Sequence, residues 1–121
     1  MDRDLGTVEI ERLGDSLWLL QLAGEHDLST APTIDEACDR IAETGTTVVA
    51  DLSEASFIDS TVIRTLLRFV ERGEDLLLVV PKQGAVRRTL DLTGVLALLP
   101  VFETRAAALR VVPPNDQPAS A

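Results

Sequence analysis

The chain has 121 residues, with 20 acidic against 11 basic side chains, a net charge of −9, one His, one Cys and no Tyr. That length fits a single domain able to hold a core without staples, and the lone Cys38 rules out an intramolecular disulfide and suits a reducing, cytoplasmic setting. The charge argues against direct nucleic-acid binding and against an anionic membrane surface; no apolar run reaches the ~20 residues of a membrane span, and Met1-Asp2-Arg3-Asp4 is not a signal-peptide start.

Residues 7–13 alternate, Val8 and Ile10 on one side and Glu9 and Glu11 on the other, which predicts an edge strand with one wet face. Gly14-Asp15 then suits a hairpin turn into a second strand, Leu17 to Leu22. Gly24-Glu25-His26-Asp27 reads as a loop, with His26 exposed. Ser29, Thr30 and Pro32 open a helix whose apolar positions run from Ala31 through Ile34, Ala37, Cys38 and Ile41 to Ala42, with Gly45 as its stop. Thr47 to Ala50 and Leu76 to Val80 are short runs apolar on both sides of the pleat, as buried central strands require. The first is expected to end in a turn at Asp51.

Between those strands lies a helix from about Ser60 to Arg72, ended by Gly73. A third helix fits Ala85 to Thr93, with Gly94 as its C-terminal cap. Pro100 limits a last strand within Leu98 to Phe102 to a short edge, and Thr104 caps a final helix through Leu109. The domain is expected to span 1–112, with 113–121 a disordered Pro/Ser/Ala tail. The order predicts an α/β fold: a mixed sheet of four or five strands, an N-terminal hairpin and about four helices mostly on one face. Ligands of such sheets gather at the carboxyl ends of the strands, which directs attention to the loop around Asp27 and the segment from Asp51 to Ser60.

Little of this suggests catalysis. A nucleophilic triad would have to use His26, and no Gly-x-Ser-x-Gly elbow surrounds a Ser. His26 and Cys38 cannot make a zinc site alone, and Lys82 follows no glycine-rich phosphate loop. The expectation is no catalytic residue, no metal and no cofactor.

Asp59-Ser60-Thr61 directly precedes an amphipathic helix, and its plainest role is an N-cap worth ~1 kcal/mol. At ~100° per residue, Val62, Ile63, Leu66, Leu67, Phe69 and Val70 fall on one side of that helix, and Thr61, Arg64, Arg68 and Arg72 on the other. Ser60 thus heads a stripe of arginines on an acidic protein. A phosphate there would carry about −1.5 to −2 charges. The helix N-terminus and Arg64 would favour it, whereas a partner docked over the helix start would have to bury it.

Four segments carry a family resemblance. Val48-Val49-Ala50-Asp51-Leu52-Ser53 followed by Ser56-Phe57-Ile58-Asp59-Ser60-Thr61 resembles the signature of the STAS domain, which includes the bacterial anti-sigma-factor antagonists. Gly24-Glu25-His26-Asp27 and Val86 to Val95 are similar to its first-loop and third-helix segments, and Val101-Phe102 to its last strand. The resemblance implies partner switching: the domain binds an anti-sigma serine kinase and is released when one hydroxyl is phosphorylated. By that resemblance Ser60 is the acceptor, Thr61 the neighbouring hydroxyl, Asp59 the acid before it, and Asp27 the loop acid near the kinase's nucleotide. Arg64 and Arg68 would join the docking face. Val62 stands where the family has Gly, so a partner seated on that glycine is expected to meet the valine side chain.

Three other readings compete. A receiver domain would be phosphorylated at Asp51, but Leu13-Gly14-Asp15 lacks the acids that hold Mg²⁺ and Lys82 follows the penultimate strand. Asp27, Asp51 and Asp59 could form a carboxylate cluster. An unphosphorylated STAS subunit of a stress-signalling or lipid-transport complex would use Arg64, Arg68 and Arg72 as a permanent docking face. The sequence leaves the oligomeric state open.

Overall fold

The computed structural model describes residues 6–41 and 46–112. The elements are β1 (Thr7–Gly14), β2 (Leu17–His26), α1 (Ala31–Ile41), β3 (Thr47–Ile58), α2 (Ser60–Glu71), β4 (Asp75–Val79), α3 (Ala85–Leu92), a 3-10 turn (Val95–Ala97), β5 (Val101–Phe102) and α4 (Arg105–Arg110). The expected stop of α1 at Gly45 and the tail 113–121 lie outside the described residues.

One five-stranded sheet runs in the order β1-β2-β3-β4-β5. β1 is antiparallel to β2, and every later neighbour is parallel. Because the order never reverses, same-handed crossovers put α1, α2 and α3 on one face. Their apolar stripes meet Leu20, Leu22, Val48, Ala50 and Leu78 in the main core. The opposite pleat positions, Leu17, Leu19, Val49, Leu77 and Val79, form a second core under α4. Each fully buried Leu or Phe in these layers contributes roughly 1.5–3 kcal/mol.

Several boundaries differ from expectation. The hairpin turn sits on Asp15 and Ser16, one residue later, because Gly14 still pairs with Leu17. β2 continues through His26, so Gly24 to His26 is strand. β3 does not stop at Asp51 but runs on to Ile58, paired with β2 alone once β4 has ended. The polar run Ser53 to Ser56 hides this strand from a periodicity reading, since main-chain pairing holds it in place. Pro100 confines β5 to two residues, as expected of an edge. Val70, placed on the apolar side of α2, is 42% exposed. α3 ends at Leu92, and Gly94 follows at φ 80°, the left-handed conformation that closes many helices.

Candidate functional site

β3 delivers the candidate site. Twice it carries one residue more than β2 across the ladder: Gln21 and Ala23 face Asp51 and Glu54, then Gly24 and Glu25 face Ala55 and Phe57. Such bulges bend a strand and re-aim the residues beyond them. Asp51 sits at the first, its Oδ1 accepting from the Ser53 N–H at 2.9 Å. The ladder closes with His26 beside Ile58, so Asp27 and the Asp59-Ser60 pair leave neighbouring strands at one level.

At the end of β3, Asp59 takes an extended conformation and caps α2. Its Oδ1 accepts from the Val62 N–H at 3.1 Å, and its carbonyl from the Ile63 N–H at 3.2 Å. Ser60, the first helical residue, is exposed, and among the described residues its hydroxyl makes no hydrogen bond. Thr61 is half-buried, its carbonyl accepting from Thr65 Oγ1. Val62 is fully buried. At ~200° around the helix from Ser60 its side chain enters the core, away from the exposed start of the helix.

The neighbouring loop is tightly bonded. Asp27 Oδ1 accepts from Ser29 N–H at 2.9 Å and Ser29 Oγ at 2.6 Å, and its carbonyl accepts from the Thr30 and Ala31 N–H groups. His26 is completely buried, contrary to the exposed loop position expected of it. Its Nε2 lies 2.9 Å from the Ala23 carbonyl; a carbonyl only accepts, so Nε2 carries a hydrogen. Nδ1 lies 3.0 Å from Thr30 Oγ1, and the Asp27 N–H donates to that same oxygen. The imidazole thereby pins the loop that presents Asp27. A Cβ on Gly6 would fall 2.5 Å from His26 Cε1 and 2.3 Å from the Glu25 carbonyl, so only glycine fits over the ring.

The arginine stripe is less open than its periodicity suggests. Arg68 is paired with Asp35 of α1. Arg72 donates to the Cys38 carbonyl at 2.7 Å, lies 3.3 Å from Asp39 and 3.4 Å from Glu74, and covers the Phe69 ring. Both fasten α2 to α1, which removes much of the permanent docking face that an unphosphorylated subunit would use. Arg64 is exposed and makes no ion pair among the described residues. Two apolar side chains that sequence reasoning missed lie beside the site: Leu28 after the Asp27 turn, 71% exposed, and Phe57 near the end of β3, 43% exposed. A lone Phe in a polar run was their only signal.

The competing chemistries fare poorly. Asp51 is buried and held by Arg105 of α4, with Nε at 2.9 Å and Nη2 at 2.8 Å from Oδ2, so a phosphoryl donor cannot reach it. Among the described residues, no three His, Cys, Asp or Glu side chains gather as metal ligands, which separates Asp27, Asp51 and Asp59. No helix among them is long and apolar enough to cross a membrane.

Residues 7–108 match the family model of the STAS domain. The chain belongs to the STAS domain family. Among solved structures, this STAS domain is similar to an anti-sigma-factor antagonist from Mycobacterium paratuberculosis, at 28% identity over 90% of this chain and 95% of that one, with a TM-score of 0.74. It shares its fold with SpoIIAA in the unphosphorylated form (18% identity, 87% and 96% covered, TM-score 0.67). It likewise shares it with the phosphorylated form from Bacillus (18%, 88% and 100%, TM-score 0.55). No curated protein matches the chain in sequence.

Proposed function

We propose that this STAS domain is an anti-sigma-factor antagonist that binds an anti-sigma serine kinase and is switched off by phosphorylation of Ser60. The observation that carries the reading is the exposed hydroxyl of Ser60 in the first turn of α2, unbonded among the described residues. The likeness to the Mycobacterium paratuberculosis antagonist supports it.

The free chain accommodates a phosphate on Ser60. The first turn of α2 contains no acidic side chain, the helix N-terminus favours an anion by ~0.3–1 kcal/mol, and Arg64 stands one turn on. A docked partner has to cover Asp27, Asp59, Ser60 and Thr61, with Leu28 and Phe57 as apolar contacts and Arg64 and the outer part of Arg68 at the margin. Burying the phosphate there costs about 3 kcal/mol, or roughly a hundredfold in affinity. The domain supplies the acceptor and the kinase the chemistry, so the domain itself needs no catalytic group, and control of transcription in the cytoplasm requires no contact with DNA.

The test is incubation with ATP and each candidate anti-sigma serine kinase of the source organism, followed by mass-spectrometric mapping. Phosphate is expected on Ser60. Ser60→Glu keeps the thermal midpoint and loses about a hundredfold in kinase affinity, while Ser60→Ala binds but cannot be released. Phosphate found only elsewhere, or undiminished binding by Ser60→Glu, would refute the switch.

A further inference from the structure

We propose that the open edge of β1 takes an extended segment of a partner protein, alternating basic and apolar side chains, as a sixth strand. β1 is an outermost strand of the sheet, eight residues long. Among the described residues nothing but β2 pairs with it, so its other side presents a row of main-chain donors and acceptors.

Some of the usual protections of such an edge are missing, although Glu9, Glu11 and Arg12 are charged. Thr7 to Arg12 contains no Pro and no Lys, and the one register shift of the hairpin comes after Arg12. Arg12 itself is drawn back to its own turn, donating to the Gly14 and Asp15 carbonyls.

The two faces of β1 specify what would pair with it. Toward α1, Val8 and Ile10 are only half-buried. With Glu9 between them, they border a groove of about 400 Å³ whose far wall is Thr33, Glu36 and Ala37, with Arg40 the cation on its lining. A strand added beside β1 would lay alternate apolar side chains over Val8, Ile10 and this groove. Its other side chains would emerge beside Glu9 and Glu11, both exposed on the opposite face. Cross-strand neighbours of opposite charge are stabilising and like charges destabilising, so the incoming strand is basic on that face. The same rule disfavours a second copy of this chain, because antiparallel β1–β1 pairing sets the glutamates of each copy against those of the other. Recognition by main-chain pairing with alternate side chains read in a groove is an established binding mode for extended segments.

The experiment uses the whole chain, ¹⁵N-labelled, titrated with a synthetic peptide of alternating Lys and Val as long as β1. Saturable shifts are expected at the amides of 7–13. The same peptide N-methylated at alternate amides should give none, since it cannot complete the ladder while its charge and apolar surface are kept. E9K/E11K, altered only at exposed positions, should weaken binding about tenfold. Ser60→Glu should bind the peptide as the wild type does, which separates this site from the phosphorylation switch. Equal binding of the N-methylated peptide, shifts confined to other elements, no binding, or dimerisation of the free chain through β1 would each overturn the proposal.

Discussion

The two halves of β3 obey different physics although they form one strand. Thr47 to Leu52 is buried throughout, and Thr47 to Asp51 is paired on both sides, by β2 and β4. From Ser53 to Phe57 the strand is largely exposed and paired with β2 alone. The first half is held by apolar burial on two faces, the second by a single ladder and two bulges. Rigidity is therefore concentrated where the sheet is anchored, and the exposed extension carries Phe57, Asp59 and Ser60 outward to where a partner can reach them.

Cutting one side chain in each half tests this contrast. Leu52→Ala removes a fully buried side chain and should destabilise the fold by about 3 kcal/mol in chemical denaturation. Phe57→Ala, at 43% exposed, should cost less than about 1 kcal/mol while reducing affinity for the proposed kinase partner. Equal costs would show that the extension shares the core's cooperativity. Arg105→Ala probes the bulge between the halves: it leaves the Asp51 carboxylate buried without its cation. A loss of about 2 kcal/mol is expected, below the range for a wholly buried pair because Arg105 is partly solvated.

Cys38 sharpens the contrast from the buried side. Burial pushes its thiol up to about 12 from 9.0; nearby Arg72 and Arg68 lower it, and Asp35 and Asp39 raise it. Between those values the unfolded chain has released a proton that the folded chain retains. Stability contributed by the protonated thiol is thus intact below about 9 and lost as pH rises toward about 12, by at most ~1.4 kcal/mol per pH unit. Cys38→Ala should flatten that part of a stability-versus-pH curve. Asp59→Ala loses the bond to the Val62 N–H and should cost about 1 kcal/mol of stability, read as a lowered thermal midpoint.

Legibility in the sequence divides along the same line. The double-sided apolar runs at Val48 and Leu76, the stripe of α2 and the cap at Thr104, whose Oγ1 accepts from the Ala107 N–H at 3.1 Å, declare themselves through local periodicity or local hydrogen bonding. Ser53 to Ile58 does not, because its strand state comes from alignment with β2. His26 misleads for a related reason. Its burial depends on Thr30 beneath it and Gly6 above it, and an imidazole in a Gly-rich, acidic segment looks like surface. The arginines of α2 fall correctly around their own helix, but Asp35 and Asp39 on α1 can be matched to them only once the two helices are packed. At the site, the Asp-Ser pair is legible as a cap, and the resemblance singles out Ser60. The inward aim of Val62 comes from helical geometry alone.

The second layer of the sheet rests on very little. α4, six residues long, covers Leu17, Leu19, Val49, Leu77 and Val79 with Ala108, Leu109 and the adjoining Val112. Any truncation or fusion that removes the chain from Thr104 onward would uncover these side chains together, and with them a sticky sheet surface of the kind that drives aggregation during expression. Affinity tags and reporter fusions are therefore safer placed beyond Val112 than at the end of β5.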